Sequence, residues 1–442
     1  MFEFRSRRRR QGSMPVGALE SRILPAAVNV ITKRAPGGAV HLAFAGTSSN
    51  DTVNIIKDPV TGRSTISGPL AFLGQEGTTT FRLNGRTEVA QLSFAKLGNL
   101  TFNLGAGDDF VSVTDSSAGH VTIKDGFADQ ENNIYFFSAT VGEMRIGNIR
   151  ASFDRGHSST IVSSIGGSLR TGSVAVQGTA SSLSTDLIIN GSGSHLLTLN
   201  GLVSLDLADG ATGSSSFWIW GGDGLSLLKG MRYTGGAGYD VLQTQGQVSV
   251  SGNVTISTRG GNDDIALGDG AVVFQGNVTI DTGTGADRIG FSYPHNQTTN
   301  VVFMKKVNIS MGADNDSVSL GNVVFRQSVF FDMGDNSDIG YFGQDYINII
   351  NVEVFGQTHV VSTGQAFVVF NPRGNSKTQL HGASKFILGL GSIQVESTSS
   401  NVFFDNQLLF QGTERDLVVT YHGQVMANPG NLTLVNAHLH TY

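Results

Sequence analysis

The feature that most constrains this chain is a short repeat whose copies align without internal gaps. Four twenty-residue segments share one pattern of alternating apolar positions: Val248 to Leu267, Val272 to Phe291, Val301 to Leu320 and Val323 to Phe342. A more diverged fifth copy begins at Leu225. The copies start 23, 24, 29 and 22 residues apart, a spacing that suits one turn of a coil and is too short for a domain.

Each copy contains three short apolar runs joined by Gly-, Asn- and Asp-rich turns, and each has an Asp near its last run: Asp240, Asp263, Asp287, Asp316 and Asp338. Three strands per repeat describe one coil of a parallel β-helix, in which each strand pairs with its equivalent in the next coil. Parallel connections are right-handed as a rule. The repeat therefore predicts an all-β, right-handed parallel β-helix, or β-solenoid. The competing architecture is an array of β-sandwiches, which repeats of one coil length disfavour.

Composition agrees with strands and turns. The chain holds 58 glycines, 8 prolines and no cysteine, and no sustained 3.6-residue apolar period appears in it. Without cysteine, disulfides and thiolate metal sites are excluded. A large hydrogen-bonded apolar core must supply the stability instead.

Charge divides the chain into two parts. Residues 1–35 carry a net charge of +6, which leaves −12 for the remainder of a chain whose net charge is −6. We expect a basic tail over residues 1–38 and a single continuous β-solenoid domain over residues 39–442. Because the residues after the tail carry a net negative charge, we expect them to repel nucleic acid and to attract divalent cations. No apolar stretch approaches the roughly 18 residues of a membrane span, so no transmembrane span is expected.

The tail carries one recognisable segment, Leu19-Glu20-Ser21-Arg22-Ile23-Leu24-Pro25-Ala26, which follows an Arg-rich start. It resembles the LEPR-XLL motif of exported and surface proteins from planctomycete-type bacteria, with Ser21 where that motif has Pro. In those families the tail precedes repetitive extracellular regions. The resemblance implies an extracellular or cell-surface location.

A second resemblance lies in the turns. The segment Gly235 to Gln243 matches the GGxGxDxUx nonapeptide of RTX calcium-binding repeats, although RTX sites use tandem nonapeptides and this chain has one per coil. Weaker versions surround the other turn aspartates. Carboxylate and carbonyl oxygens are hard ligands suited to calcium. The metal ligands that this resemblance implies are Asp240, Asp263, Asp287, Asp264, Asp108 and Asp109. The alternative is that Gly-x-Asp only forms the corner of the coil.

Two further groups bear on chemistry. Trp218 and Trp220 share one face of a strand; they could stack on sugar rings, but burial of the strand on both faces is the interpretation we favour. Candidate carboxylate and basic groups for polysaccharide cleavage are confined to two clusters, Asp154 to His157 and the set Asp206, Asp209 and Asp223.

Together these observations predict a non-catalytic exported or cell-surface solenoid with a structural or adhesive role, with calcium as its cofactor through Asp-Gly turns. Extracellular polysaccharide and surface proteins are the expected partners. The alternative is a polysaccharide-active β-helix enzyme, similar to the pectate-lyase group or to a glycoside hydrolase. The sequence leaves the oligomeric state open.

Overall fold

A computed structural model gives the structure of the protein. It describes residues 26–69, 79–86, 88–140, 142–191, 195–222, 226–291, 301–335, 345–370, 377–396, 402–412, 417–422, 425–427 and 432–441. Most of the LEPR-XLL-like segment, together with Asp223 and Asp338, lies outside these ranges.

Within the described ranges, the secondary structure consists of β-strands and one short 3-10 turn, Pro36–Gly38. The strands are β1 Ala26–Arg34, β2 Val40–Ala45, β3 Thr52–Lys57, β4 Ser64–Ser67, β5 Thr79–Leu83, β6 Glu88–Val89, β7 Gln91–Phe94, β8 Leu97–Asn103, β9 Phe110–Thr114, β10 Val121–Ser138, β11 Glu143–Arg145, β12 Ile149–Ser164, β13 Ser168–Thr171, β14 Val174–Gly178, β15 Ser182–Gly191, β16 Leu197–Leu207, β17 Ser214–Trp220, β18 Ser226–Thr234, β19 Asp240–Gln245, β20 Val248–Val250, β21 Val254–Ser257, β22 Asp264–Asp269, β23 Val272–Phe274, β24 Val278–Asp281, β25 Arg288–Phe291, β26 Val301–Phe303, β27 Val307–Ser310, β28 Ser317–Phe325, β29 Val329–Asp332, β30 Asp345–Val354, β31 Thr358–Phe370, β32 Thr378–Leu380, β33 Ser384–Glu396, β34 Val402–Phe404, β35 Leu408–Gly412, β36 Leu417–His422, β37 Val425–Ala427, β38 Leu432–Val435 and β39 Ala437–Thr441.

The repeat forms stacked parallel coils with three strand faces. In the clearest coil, β20 belongs to the first face, β21 to the second and β22 to the third. Each pairs in parallel with its equivalent in the next coil, which is β23, β24 or β25. Register follows the repeat, so that Val248 lies opposite Val272 and Ile265 opposite Ile289. The predicted fold class, a parallel β-solenoid, is confirmed.

Alternation along each strand places every second side chain inside the coil, as the period of two of a pleated strand requires. Val254 and Ile256 on β21 are buried, while Thr255 between them is exposed. Equivalent positions stack from coil to coil and build one core that runs along the solenoid. Inside the first face, Phe274, Phe303 and Phe325 form an aromatic stack with centroid spacings of 5.0 and 5.1 Å and nearly parallel rings.

The N-terminal region departs from the prediction in two ways. Strand β1 pairs with β2 antiparallel and with β5 parallel, and it buries Val28 and Val30, so residues 26–34, which were expected in the tail, join the sheet. Antiparallel pairs β3–β4, β4–β7 and β5–β6 then precede the regular coils. The physical reason is local: Val28 and Val30 alternate with Asn29 and so place two apolar side chains on the inner face of a strand.

The stacked phenylalanines generate a stability prediction. Phe303→Ala removes the middle ring of the stack and also the edge contact to Phe291 at 5.3 Å, so we expect a loss of about 3–5 kcal/mol in the free energy of unfolding. Met304, the next residue, is 43% exposed, and Met304→Ala should change stability by no more than about 0.5 kcal/mol. Urea denaturation followed by circular dichroism measures both. Equal effects of the two substitutions would contradict the stack's role in the core.

Candidate functional site: an internal column of polar residues

The predicted turn aspartates form part of a column inside the solenoid, at the position where each coil enters its third face. Four of them, Asp240, Asp263, Asp287 and Asp316, occupy consecutive coils with Asp345, which the sequence analysis did not predict, and each of the five is at most 1% exposed. The column continues toward the N-terminus through residues in register: Ser215, Thr185, Ser158, Asn132, Asp109 and Asp51. All of these side chains are buried. The column is therefore a polar seam in an otherwise apolar interior.

Each carboxyl in the seam except that of Asp51 accepts a hydrogen bond from the backbone of the preceding coil. The N–H of Asp240 donates to Oδ1 of Asp263 at 2.8 Å, and the N–H of Asp263 donates to Oδ1 of Asp287 at 2.8 Å. The same bond joins Asp287 to Asp316 at 2.9 Å and Asp316 to Asp345 at 3.1 Å. The carboxyls thus satisfy backbone donors at the corner, where the strand ladder is interrupted.

Among the described seam aspartates, the second carboxyl oxygen, Oδ2, accepts a backbone N–H where a glycine lies five residues earlier, and Oδ2 of Asp345 accepts a hydrogen bond from the hydroxyl of Ser362 at 3.5 Å. Gly236 donates its N–H to Oδ2 of Asp240 at 2.9 Å, and a Cβ at the preceding Gly235 would overlap that oxygen. Thr47 donates likewise to Asp51 at 2.6 Å, after Gly46. Where Leu, Thr or Met replaces that glycine, Oδ2 is buried without a hydrogen-bond partner; the four cases are Asp109, Asp263, Asp287 and Asp316.

Burial favours the protonated form of these acids. It raises the pKa of Asp316 to about 9 and that of Asp263 to about 7, with neighbouring carboxyls adding to both. It raises the pKa to about 6 both for Asp240, which has both oxygens hydrogen-bonded, and for Asp287, whose Oδ2 has no hydrogen-bond partner. Stacked carboxyls one coil apart, about 4.8 Å, repel when ionised, and a proton on one of them removes that repulsion.

The six predicted metal ligands are only partly brought together. Asp240, Asp263 and Asp287 lie in consecutive coils of the seam, and Asp109 lies in the same seam several coils away. Asp264 and Asp108 are not in the seam: each is the chain neighbour of a seam aspartate and is partly exposed. Within the described ranges, no three His, Cys, Asp or Glu side chains are grouped to hold a metal ion. Calcium binding stays a prediction.

The sequence interpretation missed several seam members. The sequence analysis assigns Asp338 to this position of the fourth gap-free copy, whereas the structure places Asp345 there, and Asp345-Tyr346-Ile347-Asn348-Ile349 repeats the alternation that follows Asp316. That alternation is the signal that finds it. Ser158, Thr185 and Ser215 carry no such signal, because serine and threonine are common on the outward faces of strands as well.

The candidate catalytic carboxylates lie in ion pairs. Asp206 forms a two-point ion pair with Arg232, with N–O distances of 2.8 and 2.5 Å. Asp209 pairs with Arg259 at 2.6 Å, and Arg259 also donates to the carbonyls of Leu207 and Ala208. A cavity of about 440 Å³ is bordered by Asp206, Asp209 and Arg259. The side chains of the Asp154 to His157 cluster that carry charge are exposed.

The two tryptophans occupy outward positions on β17. Phe217 and Ile219 are buried inside the coil, while Trp218 and Trp220 are half-buried on its outer surface, with ring centroids 5.7 Å apart. The prediction that this strand is buried on both faces is therefore wrong, because a strand in a solenoid has one face toward solvent.

Comparison with protein-family models, with curated proteins and with solved structures found no match for this chain. Among the described residues, no helix has the length and apolar character needed to cross a membrane.

The seam generates a pH prediction. The pKa of Asp263 and of Asp316 is raised above the unfolded value, so their contribution to stability is present near pH 4 and is lost as pH rises toward about 7 and about 9. We expect the free energy of unfolding in chelator to be lower at pH 9 than at pH 5, falling by about 1.4 kcal/mol per pH unit for each such group. Urea titrations at several pH values measure this.

Asp316→Asn should flatten that slope, because an amide does not ionise and its oxygen can still accept the N–H of Asp287. The amide oxygen of Asn132 already accepts the backbone N–H of Asp109 in this way, with an N–O distance of 2.8 Å. Asp281, exposed on β24, provides the matched control, since Asp281→Asn should leave the slope unchanged. Stability that rises from pH 5 to pH 9 would contradict the raised pKa values.

Proposed function

We propose that this protein is an exported or cell-surface solenoid with a structural and adhesive role, and that it does not act as an enzyme. The single observation that carries the proposal is the continuous stack of parallel coils, with one core and one polar seam running through it. Each added coil lengthens such a stack by about 4.8 Å, which suits a spacer. The LEPR-XLL-like segment supports export.

The repeat also favours a structural role on grounds of stability. A chain without cysteine that works outside the cell needs many small, distributed interactions. Backbone hydrogen bonds between coils supply them, together with the seam from Asp51 to Asp345 and the stack of Phe274, Phe303 and Phe325. The enzyme alternative has less support, because Asp206 and Asp209, the carboxylates beside the described cavity, are both paired with arginines.

Location and shape can be tested together. We expect fractionation of the native host to recover the protein at the cell surface or in the medium, and small-angle scattering of the purified protein to give an elongated particle. Recovery of the full-length chain in the cytoplasm would contradict the proposed location. Cleavage of a polysaccharide by the purified protein, lost on Asp206→Asn, would favour the enzyme alternative.

Calcium belongs to this proposal as a stiffening ligand. What supports it is the set of unpartnered Oδ2 atoms on Asp263, Asp287 and Asp316, in consecutive coils. Oxygens from at least two coils, with backbone carbonyls, would be needed for a shell of six to eight ligands. The cation would replace the protons that otherwise relieve the repulsion between carboxyls.

We expect millimolar calcium at pH 8 to raise the melting temperature, because a ligand that binds only the folded state stabilises it. Asp263→Asn should remove most of that rise, and in chelator at this pH it should itself raise the melting temperature, because an amide does not ionise. Asp281→Asn should keep the rise. Differential scanning calorimetry with calcium, with magnesium and with chelator makes the measurement. A melting curve that calcium leaves unchanged would contradict calcium binding, and the seam aspartates would then serve only to form the corners of the coils.

A further inference from the structure

The outer surface of the third face carries a line of aromatic and aliphatic side chains near the middle of the solenoid. We name it the aromatic strip and define it as Tyr135, Phe137, Ile161, Ile188, Trp218 and Trp220. All six are half-buried side chains on strands β10, β12, β15 and β17. Neighbouring residues on the same strands, such as Phe136 and Ile219, point inward and are fully buried. The strip is therefore not part of the core.

Register places these side chains in two parallel columns. Tyr135 lies opposite Ile161, Ile161 opposite Ile188 and Ile188 opposite Trp218. Phe137 begins the second column and Trp220 ends it. Three coil steps separate the two ends, which is about 14 Å at about 4.8 Å per step. The strip thus has an aromatic platform at each end and an aliphatic floor of two isoleucines between them.

Each platform is made of rings in contact. Tyr135 lies 5.3 Å from Phe137 with an interplanar angle of 22°, and Phe110 adds a third ring 5.1 Å from Tyr135. At the other platform, Trp218 and Trp220 meet edge to face at 90°. Contacts between side chains restrict the rings before any ligand arrives, so less conformational entropy is lost on binding.

Polar groups border the strip. Asn190 lies between Ser163 and Trp220 in the second column, and Gln243 follows Trp218 in the first. Asn190 and Gln243 are both partly exposed. Their side-chain amides donate and accept hydrogen bonds, so they suit a ligand with hydroxyl groups, which also donate and accept.

Size argues against a protein partner. The two columns lie about 7 Å apart, and the strip is about 14 Å long between ring positions, so its area is on the order of 200 Å² even with margins. A stable protein interface needs about 800 Å² on each partner. The strip is too small for that, and it suits an extended chain of rings with apolar faces and polar edges.

The acidic groups beside the aromatic strip favour a neutral ligand over an anionic one. Asp186 borders the strip, and its pKa is raised by burial and, to a smaller extent, by the nearby charge of Glu131. Two acidic groups beside the platforms disfavour an anionic polymer by like-charge repulsion. A neutral ligand binds without this electrostatic repulsion.

We propose that the aromatic strip binds a neutral polysaccharide, whose sugar rings stack on the Tyr135–Phe137 and Trp218–Trp220 platforms and whose hydroxyl groups bond to the polar margin. This inference deepens the proposed function, on which it rests for the presence of extracellular polysaccharide. Binding is tested with purified protein, whereas location is tested by fractionation of the native host. Failure of polysaccharide binding and failure of the proposed surface location can therefore be distinguished.

The two tryptophans of the chain are both in the strip, so intrinsic tryptophan fluorescence reports directly on its occupancy. We expect at least one soluble neutral glycan from a panel of xylan, glucomannan, mixed-linkage β-glucan, dextran and chitin oligosaccharides to shift this fluorescence saturably. Polygalacturonate and alginate, the anionic members of the panel, should not.

Trp218→Ala should weaken binding by about tenfold or more, since a truncated aromatic anchor commonly costs that much, and Trp220 still serves as the reporter. Tyr135→Ala retains both tryptophans. It should weaken binding of long chains that reach both platforms and leave short oligosaccharides at the tryptophan platform unaffected. The matched control is Tyr346→Ala, which removes a 41% exposed ring from the same face, farther along the solenoid, and should change nothing.

Circular dichroism and melting temperature establish that each variant is folded. No saturable shift with any neutral member of the panel would overturn the proposal, as would binding confined to the anionic polymers. A fluorescence change that depends on protein concentration, with self-association in sedimentation velocity that Trp218→Ala abolishes, would assign the strip to contact between copies of this chain instead.

Discussion

The rest of the structure depends on the hydrogen bond between a backbone N–H at the entry to the third face and the buried carboxyl of the next coil. Apolar columns alone could slip by two residues and keep the same face inside, because the side-chain period of a strand is two. A buried carboxyl that must meet one N–H removes that freedom, since a slipped coil would leave both groups unpaired. The seam from Asp240 to Asp345 therefore fixes the register in which the valine and phenylalanine columns meet.

That role carries an electrostatic cost, which the chain limits in two ways. At Asp240 and Asp51, a glycine five residues earlier leaves room for the carboxyl to accept the backbone N–H of the residue that follows this glycine. At Asp263 and Asp316 that N–H bond is absent, and the raised pKa lets a proton neutralise the acid instead. Asn132, Ser158, Thr185 and Ser215 continue the seam with neutral groups. The seam is thus a series of neutral and partly neutral members rather than a line of full charges.

The sequence predicts the fold well where copies align without gaps, because repeat length, alternation and turn residues all indicate one coil there. It predicts the inside position of Asp263 less well, since a turn aspartate can equally face water. Only the coil-to-coil register shows that Asp263 is enclosed while Asp264 is not. The N-terminal region fails for another reason: β1 and β4 pair antiparallel with strands close to them in sequence, and short apolar runs do not specify whether a strand pairs with such a neighbour or with the next coil.

The tryptophans show how a correct period can still lead to a wrong assignment. Phe217, Trp218, Ile219 and Trp220 form an unbroken apolar run, and such a run is the usual mark of a strand covered on both sides. In a solenoid a covered outer face is not available, because the coil encloses only one side of each strand. When apolar side chains form a column on the outer face, packing within the fold does not explain them, and a contact with another molecule can. At Trp218 that side chain is in register with Ile188, Ile161 and Tyr135 over consecutive coils. A scattered exposed apolar residue needs no explanation, whereas a column of them maintained through four strands indicates a surface shaped for contact.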